Sequence, residues 1–117
     1  MSTPDWASTG QGSGSNSSVM NPESYTTMTQ VRAGVDNLDG QIVALLAQRF
    51  AHMRAAARIK PDRSAVRDED RKAQVVANAV AEAEAQGLPG GMIGELWDHL
   101  VELSIAYGMD EYDRTRA

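Results

Sequence analysis

Thirty consecutive residues, Val31 to Lys60 (VRAGVDNLDGQIVALLAQRFAHMRAAARIK), contain no proline and only two glycines, Gly34 and Gly40. Apolar residues recur within them at Val31, Val35, Leu38, Ile42, Leu45, Leu46, Met53 and Ala56. Steps of three and four residues trace one face of a helix, because a strand repeats every second residue. The spacing predicts a helix from about Thr29 to Lys60, ended by Pro61, which disfavours helical geometry in the residue before it. Such a helix is about 45 Å long. Two shorter helices from the same chain cannot cover that length. The distal part of the stripe is therefore expected to pack on a second copy, as a homodimer.

Two cations interrupt the stripe. Arg49 follows Leu45 and Leu46 by one turn, and Lys60 follows Ala56. Eleven residues separate them, close to three turns, so both point to one side, roughly 16 Å apart along the axis. A cation on a core face is costly unless an anion meets it. The rest of the chain must then explain what that anion is.

Composition narrows the answer. A chain of 117 residues with a net charge of −5 makes at most one domain and lacks the broad basic surface that tracks nucleic acid phosphates. Without cysteine there is no disulfide, thiolate metal site or sulfur nucleophile. The two histidines, His52 and His99, are far apart and form no metal-ligand spacing, so no metal is expected. No apolar run reaches the roughly 18 residues of a membrane span. Residues 1–27 are rich in Ser, Thr, Gly and Asn, with Trp6 and Tyr25 isolated, and read as a disordered tail. They lack the basic start and apolar middle of a signal peptide. Residues 28–117 form the folded domain in this reading.

Beyond the polar loop Pro61–Val66, a second helix is expected from Asp68 to Gln86, with Val75, Val76, Ala79, Val80 and Ala83 as its apolar stripe. Asp68, Glu69 and Asp70 suit the positive end of its dipole. Gly87 is a fitting stop and LPGG a turn. A third helix, from Met92 to Arg114, is expected to bury Ile93, Leu96, Trp97, Leu100, Val101 and Ile105, a stripe that Ser104 and Gly108 continue. The fold class is all-α, with one long helix and two shorter ones per chain.

Several polar residues fall on the inward faces. Arg49 and Lys60 come from the first helix, Asp68 and Arg71 from the second, and Ser104 from the third. Arg32 lies about a quarter-turn off the Arg49–Lys60 line and can serve the opposite protomer of an antiparallel dimer. Any one of these taken alone reads as a solvated surface group. Jointly, three or four cations with one carboxylate and one hydroxyl suit a small dianion held inside a helix bundle.

The order and spacing of these residues resemble the all-helical (AroQ-class) chorismate mutase family, over Met28 to Arg116. The family's R-x-x-(I/V)-D-x-L-D reads here as Arg32, Val35, Asp36, Leu38 and Asp39. Its LLAxR reads as LLAQR with Arg49, its lysine falls on Lys60, and its V-R-D-x-x-R is VRDEDR with Asp68 and Arg71. The end of the third helix, SIAYGMDEYDRTR, also resembles the related isochorismate-pyruvate lyases. The resemblance implies an intertwined homodimer with shared sites, working in the cytoplasm without a cofactor on a small dicarboxylate. The activity it implies is rearrangement of chorismate to prephenate, in aromatic amino acid biosynthesis. The alternatives are isochorismate-pyruvate lyase, which forms salicylate, and a non-catalytic helical dimer of the same fold.

The resemblance also implies roles. Arg49, with Arg32 of a second copy, holds carboxylates, and Lys60 meets the ether oxygen. Asp68 faces the ring hydroxyl, Arg71 completes the cationic wall, and Ser104 adds a carboxylate contact. Two positions depart from the pattern. Lys72 stands where the family usually has Glu, and Gly108 where it has a Gln or Glu that donates to the ether oxygen. Loss of that donor implies a slower enzyme and a roomy polar gap beside Gly108.

Overall fold

A computed structural model describes residues 21–117, and the first twenty residues of the expected tail lie outside the described residues. The described chain is helical, with three α-helices and no strand. Helix α1 spans Met28–Ile59, α2 spans Glu69–Ala85, and α3 spans Gly90–Thr115. No helix among the described residues is long and apolar enough to cross a membrane. Two compact units divide the chain between Ala47 and Gln48, within α1.

In the N-terminal unit, a single 3-10 turn at Pro22–Ser24 precedes α1. The backbone N–H groups of Thr26 and Thr27 donate to the Gln30 side chain, and Thr27 Oγ accepts from the Gln30 N–H at 3.1 Å. This reciprocal arrangement satisfies donors that the start of a helix leaves without partners. The apolar stripe that follows is open to solvent. Val35, Leu38, Ile42 and Leu45 are all half exposed or more, as is Val43. The sequence places Val35, Leu38, Ile42 and Leu45 on one helical face, and among the described residues that face stays uncovered.

The C-terminal unit contains the end of α1, the loop, α2 and α3. Its buried apolar residues are small: Ala57, Ala83 and Val101. Helices α2 and α3 pack against each other. The stripe of α2 is half-buried at Val75, Val76, Ala79 and Val80, as its spacing requires. On α3, Ile93, Trp97, Leu100 and Ile105 turn inward, whereas Leu96, expected in the core, is 56% exposed. Position 96 falls three residues after Ile93 and one before Trp97, at the edge of the inward arc rather than its centre.

Three boundaries differ from the sequence reading. Lys60 stands one residue past α1, though its N–H still reaches the Ala56 carbonyl at 2.9 Å. Asp68 caps α2 instead of opening it, accepting from the Arg71 N–H at 2.9 Å. Gly90 and Gly91, expected in a turn, belong to α3, because the turn is already complete at Leu88. The Leu88 N–H returns to the Ala83 carbonyl at 2.8 Å and the Gly87 N–H to Glu84 at 3.1 Å. Gly87 has φ +80, the left-handed conformation such a helix ending demands.

Charge pairing fastens the start of α2 to α3. Arg67 bonds both Glu69 and Glu102 at 2.7 Å, and Lys72 reaches Glu102 at 2.5 Å and Asp98 at 3.1 Å. The bonds from Arg67, and then from Lys72, hold the Glu102 carboxyl down to about 2 from its ordinary 4.5.

Two outcomes are expected. Open space surrounds Gly87, so the cost of Gly87→Ala is purely conformational, about 1 kcal/mol, and Gly87→Asn should cost less. Urea melts check this, and an alanine variant as stable as the parent would contradict it. The second outcome concerns acid. A carboxylate whose folded pKa is depressed stabilises the fold above its unfolded pKa and loses that contribution as pH falls. The stability gap between the parent and Glu102→Gln should be constant above the ordinary carboxylate range. It should close as the pH drops from 4.5 to about 2. A gap independent of pH across that window would show that Glu102 matters only through packing.

Candidate functional site

Three helical faces, all in the C-terminal unit, enclose a cavity of about 240 Å³. Helix α1 contributes Arg49, Met53, Ala56 and Ala57, with Lys60 just past its end. The start of α2 contributes Asp68, Arg71, Lys72 and Val75. Helix α3 contributes Val101, Ser104, Ile105 and Gly108, and Val66 closes the wall from the loop. Each set repeats at three and four residues, so one face of each helix is given over to the cavity. The volume suits a small organic molecule better than a single ion.

Six of the seven residues singled out in the sequence line this cavity: Arg49, Lys60, Asp68, Arg71, Ser104 and Gly108. Arg32 does not. It is exposed on α1 in the N-terminal unit.

The cations are held mainly by neutral partners. Arg49 donates from Nη1 to Ser104 Oγ at 2.6 Å. Ser104, buried in mid-helix, donates in turn to the Leu100 carbonyl at 2.7 Å, which fixes its lone pairs toward Arg49. Lys60 Nζ donates to the Ala65 carbonyl at 2.7 Å, and Arg71 Nη1 to Gln74 Oε1 at 2.7 Å. Among the described residues, none of these three cations pairs with a carboxylate. Partial burial, and then the positive charge of Arg71, lower the Arg49 pKa. Arg49 remains protonated at neutral pH regardless.

Lys72 is the exception. It lines the same cavity, yet its ammonium is drawn to Glu102 and Asp98, whose bonds raise its pKa. Helical spacing already places it there, four residues after Asp68 and three before Val75, but its pairing with α3 spans some thirty positions of sequence. Asp68 lines the cavity while one of its oxygens is committed to capping α2.

Gly108 borders the cavity, but the space beside it is narrowed on the side of the loop. A Cβ there would lie 3.2 Å from Val66 Cγ1, a closer approach than ordinary van der Waals contact. Gly108 lets α3 and the loop approach closely, and any side chain introduced there must displace Val66 by a few tenths of an ångström. Among the described residues, no three His, Asp or Glu side chains gather as a metal ion would require. The chemistry within reach is anion binding and stabilisation of developing negative charge, from fixed donors in a small, partly apolar space.

A known protein aligns with most of this chain. Isochorismate pyruvate lyase of Pseudomonas aeruginosa is 27% identical over 95 residues, which is 81% of this chain and 94% of the lyase. Residues 31–109 match the sequence profile described as chorismate mutase type II, from the start of the long helix through the last cavity residue of α3. With that match covering more than half of its length, the chain belongs to the chorismate mutase type II family.

Proposed function

We propose that the cavity binds chorismate and rearranges it to prephenate. The observation that carries this reading is the set of three cations, Arg49, Lys60 and Arg71, lining one small cavity without a carboxylate partner. A dicarboxylate supplies the missing counter-charge. In the rearrangement the ether C–O bond breaks as a C–C bond forms within one six-electron ring, so no nucleophile, oxidant or proton donor is needed. The protein has only to hold the folded conformer and to stabilise negative charge growing on the ether oxygen.

In this assignment Arg49 and Arg71 hold carboxylate, with Ser104 presenting Arg49, and Lys60 donates to the ether oxygen. Asp68 receives the ring hydroxyl on the oxygen not committed to the α2 cap. Gly108 supplies no donor, which leaves Lys60 as the main source of stabilisation at that atom.

A second reading is favoured by the relative from Pseudomonas aeruginosa. With isochorismate, the same ether bond breaks while a ring hydrogen moves to the enolpyruvyl carbon, giving salicylate and pyruvate. The same cations serve both reactions.

We further propose a homodimer. The half-exposed stripe from Val35 to Leu45 supports it, since a run of large aliphatics on one helical face loses contact with water only against another surface. Arg32 of a second copy would then complete the cationic set.

Supplying chorismate and isochorismate separately and separating the products by chromatography tests the activity. Prephenate from chorismate is the expected result. Salicylate from isochorismate alone would select the second reading, and conversion of neither would leave a non-catalytic dimer. Arg49→Ala should lower kcat/KM by roughly a hundred- to a thousand-fold, the usual cost of removing one donor from a preorganised site. Its helix content should persist, because Ser104 keeps its bond to Leu100. Sedimentation at micromolar concentration should give twice the chain mass, and a stable monomer would remove Arg32 from the site.

A further inference from the structure

Helix α1 ends under an unusual constraint. The Ala57 carbonyl would ordinarily accept the N–H of residue 61, but that residue is Pro61 and has none. Ala57 is only 2% exposed, so water is a poor substitute. Its partner comes from the far end of the unit. Arg116, at the C-cap of α3, donates from Nη1 to the Ala57 carbonyl at 2.9 Å and from Nη2 to the Lys60 carbonyl at 3.0 Å. A longer contact from Nη2, 3.4 Å, reaches the Arg58 carbonyl. One guanidinium therefore spans the last turn of α1, where a cation is also favoured by the helix dipole.

The guanidinium is itself fixed. Its carbon lies 3.7 Å from the centroid of the Tyr112 ring, and the Tyr112 hydroxyl donates to the Pro61 carbonyl at 3.4 Å. The backbone is thus held on both sides of the Lys60–Pro61 peptide. From that anchored backbone the Lys60 side chain enters the cavity and donates to Ala65.

We propose that Arg116 is a positioning residue for Lys60. It takes the Ala57 carbonyl that Pro61 leaves without a donor, together with the Lys60 carbonyl, and so fixes the backbone from which the Lys60 ammonium is aimed. Arg116 does not line the cavity and acts only through Lys60. The inference rests on Lys60 being the cation at the ether oxygen only for its effect on catalysis, not for its effect on the lysine.

The chain has only two lysines, Lys60 and Lys72, which gives an internal reference. Acetylation of the full-length protein with limiting acetic anhydride, followed site by site by mass spectrometry, reads the ordering of each amine. Arg116→Ala should speed labelling of Lys60 at least about fivefold relative to Lys72, the factor expected for loss of one hydrogen bond's worth of ordering. Arg116→Lys, which offers a cation but no fork across several carbonyls, should fall between. In the product assay, Arg116→Ala should lower kcat roughly tenfold or more by misplacing the lysine. It should have no further effect on kcat in a Lys60→Ala background, although the melting temperature falls equally in both.

An unchanged labelling ratio overturns the inference even if stability drops, because Arg116 would then be a helix cap and nothing more. The same holds if the loss of kcat is as large in the Lys60→Ala background. A raised ratio with unchanged turnover sustains the inference and instead removes Lys60 from the proposed reaction.

Discussion

Like charges gathered around one small cavity must be held there by something other than one another. Arg49, Lys60 and Arg71 are anchored by a hydroxyl, a backbone carbonyl and a side-chain amide in turn. Such acceptors orient a cation while leaving its net charge in place. Had carboxylates taken these roles, the cavity would be neutral and a dianion would gain little by entering it. The choice of neutral anchors stores electrostatic potential at the site. The fold must supply the stability that this arrangement does not.

That stability is assembled beside the cavity. Arg67, Glu69, Glu102, Lys72 and Asp98 form a chain of ion pairs that fastens the start of α2 to α3. It also removes Lys72 from the count of uncompensated cations, although Lys72 lines the cavity. Isolated exposed pairs contribute little, but a shared network with two-pronged Arg geometry restrains the helices that carry Arg71 and Ser104. The two populations of charge are therefore divided by function. One is paired and structural, and the other is anchored without being neutralised.

Small residues make this geometry possible. Ala57, Val101, Ser104 and Gly108 are buried around or beside the cavity, and none is bulky. They let three helical segments and the loop approach closely enough for short side chains such as Ser104 to reach a guanidinium. Several large aliphatics of α1 lie away from the cavity, on the half-exposed stripe from Val35 to Leu45. Within α1, the half-exposed stripe and the cavity-lining residues therefore occupy different stretches of the helix.

Sequence alone determined the all-α class, the three helices to within two residues at their ends, and six cavity residues. It did so because helical periodicity is local: a residue three, four, seven or eleven places along faces the same way whatever the helix meets. The same rule could not show what Lys72 pairs with, since Glu102 and Asp98 come from another helix. Tertiary structure alone decided which cations are neutralised, and that Val66 comes up close against Gly108. It alone decided that Arg116 takes the carbonyl Pro61 leaves open. Those outcomes depend on pairs of residues some 26 to 59 positions apart, and no local period records which distant face a helix will meet.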